Sequence, residues 1–160
     1  MLKKKGKKYN FVFCGSDQGN AGYIRQAIHD KGLKEQVNML GFVPVEDMRN
    51  LYQHCRGVVM SSYFGPTNIP PLEAWMLGKP LIYSDIFTEQ VGDAALLVNP
   101  DDANELASAM ERIRESDELC ATLVEKGAMR LKEIEVARKN AEMELLACLQ
   151  QFEKRRQCWL

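Results

Sequence analysis

The chain has 160 residues, 46% of them hydrophobic, and its charges nearly cancel: 21 Lys and Arg against 22 Asp and Glu, a formal net charge of −1. That length suits one domain with its own core. The balance excludes the strongly basic surface that a nucleic-acid binder needs. No run of about 18 apolar residues reads as a membrane span, and no signal peptide is visible. The expected location is cytoplasmic. Lys3, Lys4, Lys5, Lys7 and Lys8 form a basic arm over residues 1–8. A solvated arm is the plain reading; a weak peripheral anchor at the anionic inner membrane face is the sharper one.

Strands and helices then alternate. "NFVFCG" is a continuous apolar run ending on Gly15, as a buried parallel strand would. A polar loop runs to Asn20, and residues 23–31 read as a helix stopped by Gly32. "VNMLGFV" is a second strand, closed by Pro44, and residues 45–55 form a helix with Met48, Leu51 and Tyr52 on one face. "GVVMSS" is a third strand, residues 70–77 a helix stopped by Gly78, "LIYSD" a fourth strand and "ALLV" a fifth. This alternation predicts a parallel, doubly wound sheet.

The chain turns helical from Asp101. Asp101 or Asp102 can cap a helix with Leu106, Met110 and Ile113 as its stripe. Leu119 and Leu123 belong to a short helix expected to end near Gly127. A long helix follows over about 128–154, with the stripe Leu131, Ile134, Ala137, Ala141, Leu145, Cys148 or Leu149, and Phe152. These helices, residues 117–160, are expected to pack on the preceding domain or on a partner. A homodimer through Leu145, Leu149 and Phe152, with Trp159 as an addition, is one expectation.

The five cysteines, Cys14, Cys55, Cys120, Cys148 and Cys158, form no CxxC pair and read as reduced thiols. His29 and His54 each lie in a helical pattern, where a surface or packing role is the default.

The stretch "SSYFGPTNIPPLEAWMLGKPLIYSD" carries the chemistry. Ligands of a doubly wound sheet bind beyond the carboxyl ends of its strands, where the loop after the third strand lies. A helix N-terminus there offers unpaired N–H groups to phosphate, and proline in the first turn sacrifices nothing. Gly65 lets the backbone approach a ligand, and Thr67 and Asn68 add short polar groups. Glu73, about one turn in, can accept hydrogen bonds from vicinal hydroxyls such as those of a ribose. Capping of its own helix is the competing role for Glu73.

These residues resemble the donor-site signature of retaining GT-B glycosyltransferases of family 4, the glycosyl transferases group 1, in their C-terminal, donor nucleotide-sugar binding domain. "FVFCGSD", "KGLKEQVNMLGFVPVEDMRNLYQHC" and "EQVGDAALLVNPDDANELASAM" agree in order and spacing, so the resemblance spans roughly residues 11–115 within a donor-binding domain over 9–116. It implies transfer of a sugar from a nucleoside diphosphate donor to an acceptor alcohol, without a metal. It implies that Glu73 holds the donor ribose and that the backbone around Pro66, Thr67, Asn68 and Ile69, next to Gly65, faces the diphosphate. Phe42 and Val43 would face the base, with Gly15 and Ser16 near the donor cleft.

Three departures qualify it. The family carries a second glutamate eight positions before the first, where this chain has Gly65. The family's earlier strand and helix, with a diphosphate-neutralising basic residue, and its acceptor-binding domain find no match in these residues. The chain alone is therefore expected to be inactive, an acceptor-domain chain is an expected partner, and no catalytic residue is assigned. The family's sheet resembles the order 3-2-1-4-5-6; closing it over the missing strand gives about five strands in the order 2-1-3-4-5. Three function classes remain: the donor half of a glycosyltransferase, a non-catalytic nucleotide or nucleotide-sugar binding module, and a self-associating remnant without a ligand.

Overall fold

The structure, a computed structural model, describes residues 8–65 and 68–157. The chain divides into two compact units, residues 1–55 and 56–160. The basic arm up to Lys7, Pro66, Thr67, Cys158 and Trp159 lie outside the described residues.

The first unit holds β1 (Phe11–Cys14), α1 (Ala21–Asp30), β2 (Val37–Gly41) and α2 (Val45–His54). β1 and β2 pair in parallel, Phe11 opposite Val37, with a register shift between Phe13 and Cys14. The loop after β1 is tied by Asp17, whose carboxylate accepts from the N–H groups of Gly19 at 2.7 Å and Ala21 at 3.1 Å. It thereby satisfies the start of α1, a task that the adjacent Asn20 side chain leaves undone. β1 is less buried than its apolar run suggests: Val12 and Phe13 are each 42% exposed.

The second unit continues with β3 (Val58–Met60), α3 (Ile69–Met76) and β4 (Leu81–Ser84). A 3₁₀ turn over Asp85–Phe87 leads into the single-turn α4 (Thr88–Val91), then β5 (Leu96–Val98), α5 (Ala103–Glu115) and α6 (Asp117–Gln157). β4 is the central strand, parallel to β3 and to β5, and all four of its residues are buried. Ile82 packs with Val98, Ala109, Ile113 and Cys120, which sets α5 and the start of α6 over one face. Leu81 and Tyr83 point to the opposite face by strand alternation. α3 ends in a glycine stop: Gly78 has φ +63°, its N–H donates to Trp75 O at 3.1 Å, and Lys79 N–H donates to Ala74 O at 2.8 Å.

The strands form a parallel pair, β1-β2, within the first unit and a triplet, β3-β4-β5, within the second, so the neighbours 2-1 and 3-4-5 of the expected order form. One expectation needs correction: Gly127 ends no helix. α6 runs unbroken over 41 residues, and Gly127 is buried in it where Trp75 of α3 lies closest. A Cβ built there would stand 2.3 Å from Trp75 Cδ1. A packing role overrides the breaker role that glycine's propensity suggests.

α5 opens as expected. Asp102 accepts from the N–H groups of Asn104 at 2.7 Å and Glu105 at 3.3 Å. At its far end, Arg56 Nε donates to Ile113 O at 3.0 Å while the guanidinium pairs with Asp117 at the start of α6. The four described cysteines are free thiols. No helix of the described residues is long and apolar enough to cross a membrane.

Gly127→Ala should force Trp75 to move and lower stability by about 1–3 kcal/mol, the usual cost of overpacking; urea denaturation measures it, and an unchanged midpoint would refute the close packing. The Asp102 cap gives a pH signature. The N–H groups of Asn104 and Glu105 hold its carboxyl below the ordinary 3.8. Because the folded value is the lower one, the stabilisation is present above about 3.8 and is lost as pH falls through the folded value. Asp102→Ala should therefore be less stable than the parent at neutral pH, and thermal melts should show that gap narrowing below pH ~3.8.

Candidate functional site

The expected site residues fall into two clusters, one in each unit. In the first unit, the carboxyl ends of β1 and β2 are drawn together: Gly15 N–H donates to Gly41 O at 2.8 Å. Ser16 and Phe42 follow directly on these two residues. Gly15 and Gly41 have φ of +132° and +70°, conformations open to glycine. Ser16 is exposed, Phe42 is 79% exposed, and Val43 is half-buried. Phe42 thus presents a nearly free ring beside a strand-end glycine loop, a surface on which a planar base can stack.

In the second unit, the loop after β3 is closed by its own side chains. Ser62 Oγ donates to Phe64 O at 2.8 Å and accepts from Phe64 N–H at 3.1 Å. Tyr63 OH donates to Asp101 at 2.6 Å. Asn68 is the centre of the closure. Its Nδ2 donates to Gly65 O at 3.0 Å and to the hydroxyl of Tyr83. Tyr83 OH in turn donates to Gln90 Oε1 at 2.9 Å, and Gln90 Nε2 donates to Asn68 O at 2.8 Å. Gln90 Oε1 also accepts from Asn68 N–H at 3.4 Å. The backbone N–H and C=O of residue 68 are thereby both held by Gln90 of α4, and its side chain by Tyr83 of β4.

This closure fixes the start of α3. Pro70 and Pro71 supply no N–H, so Ile69 and Leu72 carry the donors left to the first turn. Ile69 is 65% exposed. Glu73 stands just over one turn into α3, half-buried. The geometry accordingly brings Gly65, Asn68 and Ile69 into one short loop with Glu73 behind it. It also changes one expectation: the Asn68 side chain is spent on closing the loop.

Gly65 has φ +117°, and a Cβ built on it would lie 2.1 Å from Asn68 Oδ1. The glycine is therefore part of the loop's construction. A glutamate at this position could not share the loop with Asn68 as it now sits.

Sequence reasoning missed Tyr83 and Gln90. Tyr83 lies in the apolar run "LIYSD" and reads as core, which it also is, being fully buried. Its buried hydroxyl required a partner, and that requirement was the available signal.

The amino-acid pattern and this architecture match known proteins. The family model of glycosyl transferases group 1 matches residues 1–130. The chain belongs to that family. Its fold is the α/β, Rossmann-like fold of GT-B glycosyltransferases. It is 33% identical over 109 residues to the O-antigen chain mannosyltransferase RfbU of Salmonella typhimurium, covering 67% of this chain and 31% of RfbU. The match thus spans about a third of that relative's length. Among solved structures, Anabaena Alr3699/HepE in complex with UDP-glucose aligns with a TM-score of 0.71 at 22% identity, over 84% of this chain and 40% of HepE. The C-terminal domain of the glycosyl transferase group 1 family protein LpcC from Francisella tularensis aligns with a TM-score of 0.65 at 14% identity. That alignment covers 82% of this chain and 89% of the LpcC domain.

Gly65→Ala should strain the backbone and displace Asn68, at a cost of about 1–3 kcal/mol. Tyr83→Phe removes the hydroxyl that accepts from Asn68 and donates to Gln90, and should cost about 1 kcal/mol. Amide hydrogen exchange should rise at Phe64, Gly65, Asn68 and Ile69 in the Tyr83 variant and at the same positions in the Gly65 variant. Unchanged exchange there would show that the network does not hold the loop.

Proposed function

We propose that this domain is the donor half of a glycosyltransferase. It binds a nucleoside diphosphate sugar for transfer of the sugar to an acceptor alcohol. The observation that carries this reading is the pinning of Gly65 and Asn68 just before α3, with Glu73 just over one turn into that helix. Backbone N–H groups at a fixed helix start suit a diphosphate, and a carboxylate one turn further suits two vicinal ribose hydroxyls. Family membership and the UDP and UDP-glucose complexes of the Anabaena neighbour support it. In this reading Ile69 and the neighbouring backbone face the phosphates, Glu73 the ribose, and Phe42 and Val43 the base. Gly15 and Ser16 border the cleft, and the donor needs no metal.

Pre-organisation is the physical advantage of the closure. A loop already ordered by Asn68, Tyr83 and Gln90 loses little conformational freedom when the phosphates arrive. A second reading, a nucleotide-binding module without transfer, is favoured by Gly65. The loop is built around the absence of a side chain where the resemblance places a sugar-contacting carboxylate.

Titration calorimetry with UDP, GDP and ADP tests the binding that both readings share. Binding by at least one of them is expected, and Glu73→Gln should weaken it by about 1–3 kcal/mol. Full affinity in Glu73→Gln would remove the ribose role, and no binding by any of the three would remove both readings. Release of sugar from a bound nucleotide sugar would separate donor chemistry from binding alone.

A further inference from the structure

The last six turns of α6 stand apart from the rest of their unit. Every described residue from Glu135 to Arg156 is exposed, a length of about 33 Å at the α-helical rise. Met143, Leu145, Leu146, Leu149 and Phe152 are 56–68% exposed. A helical segment of this length is marginal alone in water, and most helical stability comes from a covered apolar face. Leu145, Leu149 and Phe152, spaced by four and three, share one face.

The charges say what covers it. Up to Glu142 the helix pairs its own charges: Arg138 with Glu135 and Glu142, and Lys139 with Glu135. Beyond it, Glu144, Glu153, Lys154, Arg155 and Arg156 have no ion-pair partner among the described residues. Glu144 precedes the apolar cluster, and Lys154, Arg155 and Arg156 follow it. Glu144 and Arg155 are eleven residues, or about three turns, apart, so they line the same flank of the apolar face.

We propose that this face is covered by a second copy of the chain in an antiparallel pair. A two-fold axis just past Leu149 reverses the copy's helix. Leu145, Leu149 and Phe152 then interleave with the copy's Phe152, Leu149 and Leu145. In an antiparallel pair each flank faces the same flank of the other helix, so Glu144 meets the copy's Arg155 and Arg155 meets the copy's Glu144. A parallel pair would set acidic turn beside acidic turn and basic beside basic. Complementarity of this kind selects orientation more than it adds affinity. The contact is short beside the ~1,000 Å² of a standing interface, so association depends on protein concentration.

Sedimentation velocity on the 160-residue chain over about a hundredfold range of concentration tests this. A reversible dimer is expected, with helicity by circular dichroism rising as it forms. Leu145→Asp with Phe152→Asp should be monomeric with the rest of the fold kept. Glu144→Arg and Arg155→Glu should each weaken the dimer roughly five- to tenfold. Combined, they should restore it to within about threefold of the parent. A monomer at every concentration overturns the proposal. So does a dimer that survives the double aspartate variant, or a pair of charge reversals that fails to restore. A monomer that instead sediments with anionic phospholipid vesicles would give the face to a membrane and overturn it equally.

Discussion

The contact between Trp75 and Gly127 decides where the candidate site stands. α3 carries Glu73 and begins just after Asn68, so its position is the site's position. The indole of Trp75 is buried at 3% exposure, and its Nε1–H donates to Ala94 O at 3.1 Å. The same ring lies where any side chain on residue 127 would be. Only a helix with no side chain at that point can approach α3 so closely. The contact thus joins α3, the loop before β5 and α6 through one side chain. Interiors are packed too densely for such a contact to be adjusted without cost.

A second path runs from α6 to the same loop through hydrogen bonds. Arg130 lies one turn beyond Gly127. Its Nε donates to Gln90 O at 3.1 Å, a terminal nitrogen donates to Glu89 O at 2.6 Å, and the remaining one pairs with Glu133. α4 is a single turn, too short to hold itself, and Arg130 gathers carbonyls at its end. Gln90 on that turn then closes on Asn68. The loop is therefore fixed twice from α6: by packing through Trp75 and by hydrogen bonds through Arg130 and Gln90. The two routes differ in character. Trp75 sets where α3 lies, whereas Gln90 sets how the residues just before it are bent.

Most of the fold and the sequence of its elements were legible because apolar runs, glycine stops and caps are local signals. The Asp102 cap and the Gly78 stop follow from a few adjacent residues. What failed was non-local. Gly127 looks like a helix end because propensity is a property of one residue, while its packing against Trp75 depends on a residue 52 positions earlier in the numbering. At the site, Gly65, Asn68 and Glu73 were read from a local motif. The closure by Tyr83 and Gln90 was not, because each lies on a separate element and its role appears only when the chain is folded.

α6 unites these points because its two halves obey different constraints. Its first half is fixed by burial: Leu123 is 4% exposed, Gly127 is closed over by Trp75, and Arg130 reaches α4. Its second half has no such contacts within its unit. A helix is stiff over this length, so order at one end supports the other, but loss of order at the far end need not travel back. Each residue frayed from the C-terminus forfeits one backbone bond, whereas fraying past Arg130 would also break its bonds to Gln90 and Glu89 and uncover Trp75. The free-energy cost of unwinding therefore rises steeply at about Arg130. That step insulates the loop at Asn68 from whatever the exposed half does, so the same helix can hold a rigid site at one end and present a free surface at the other.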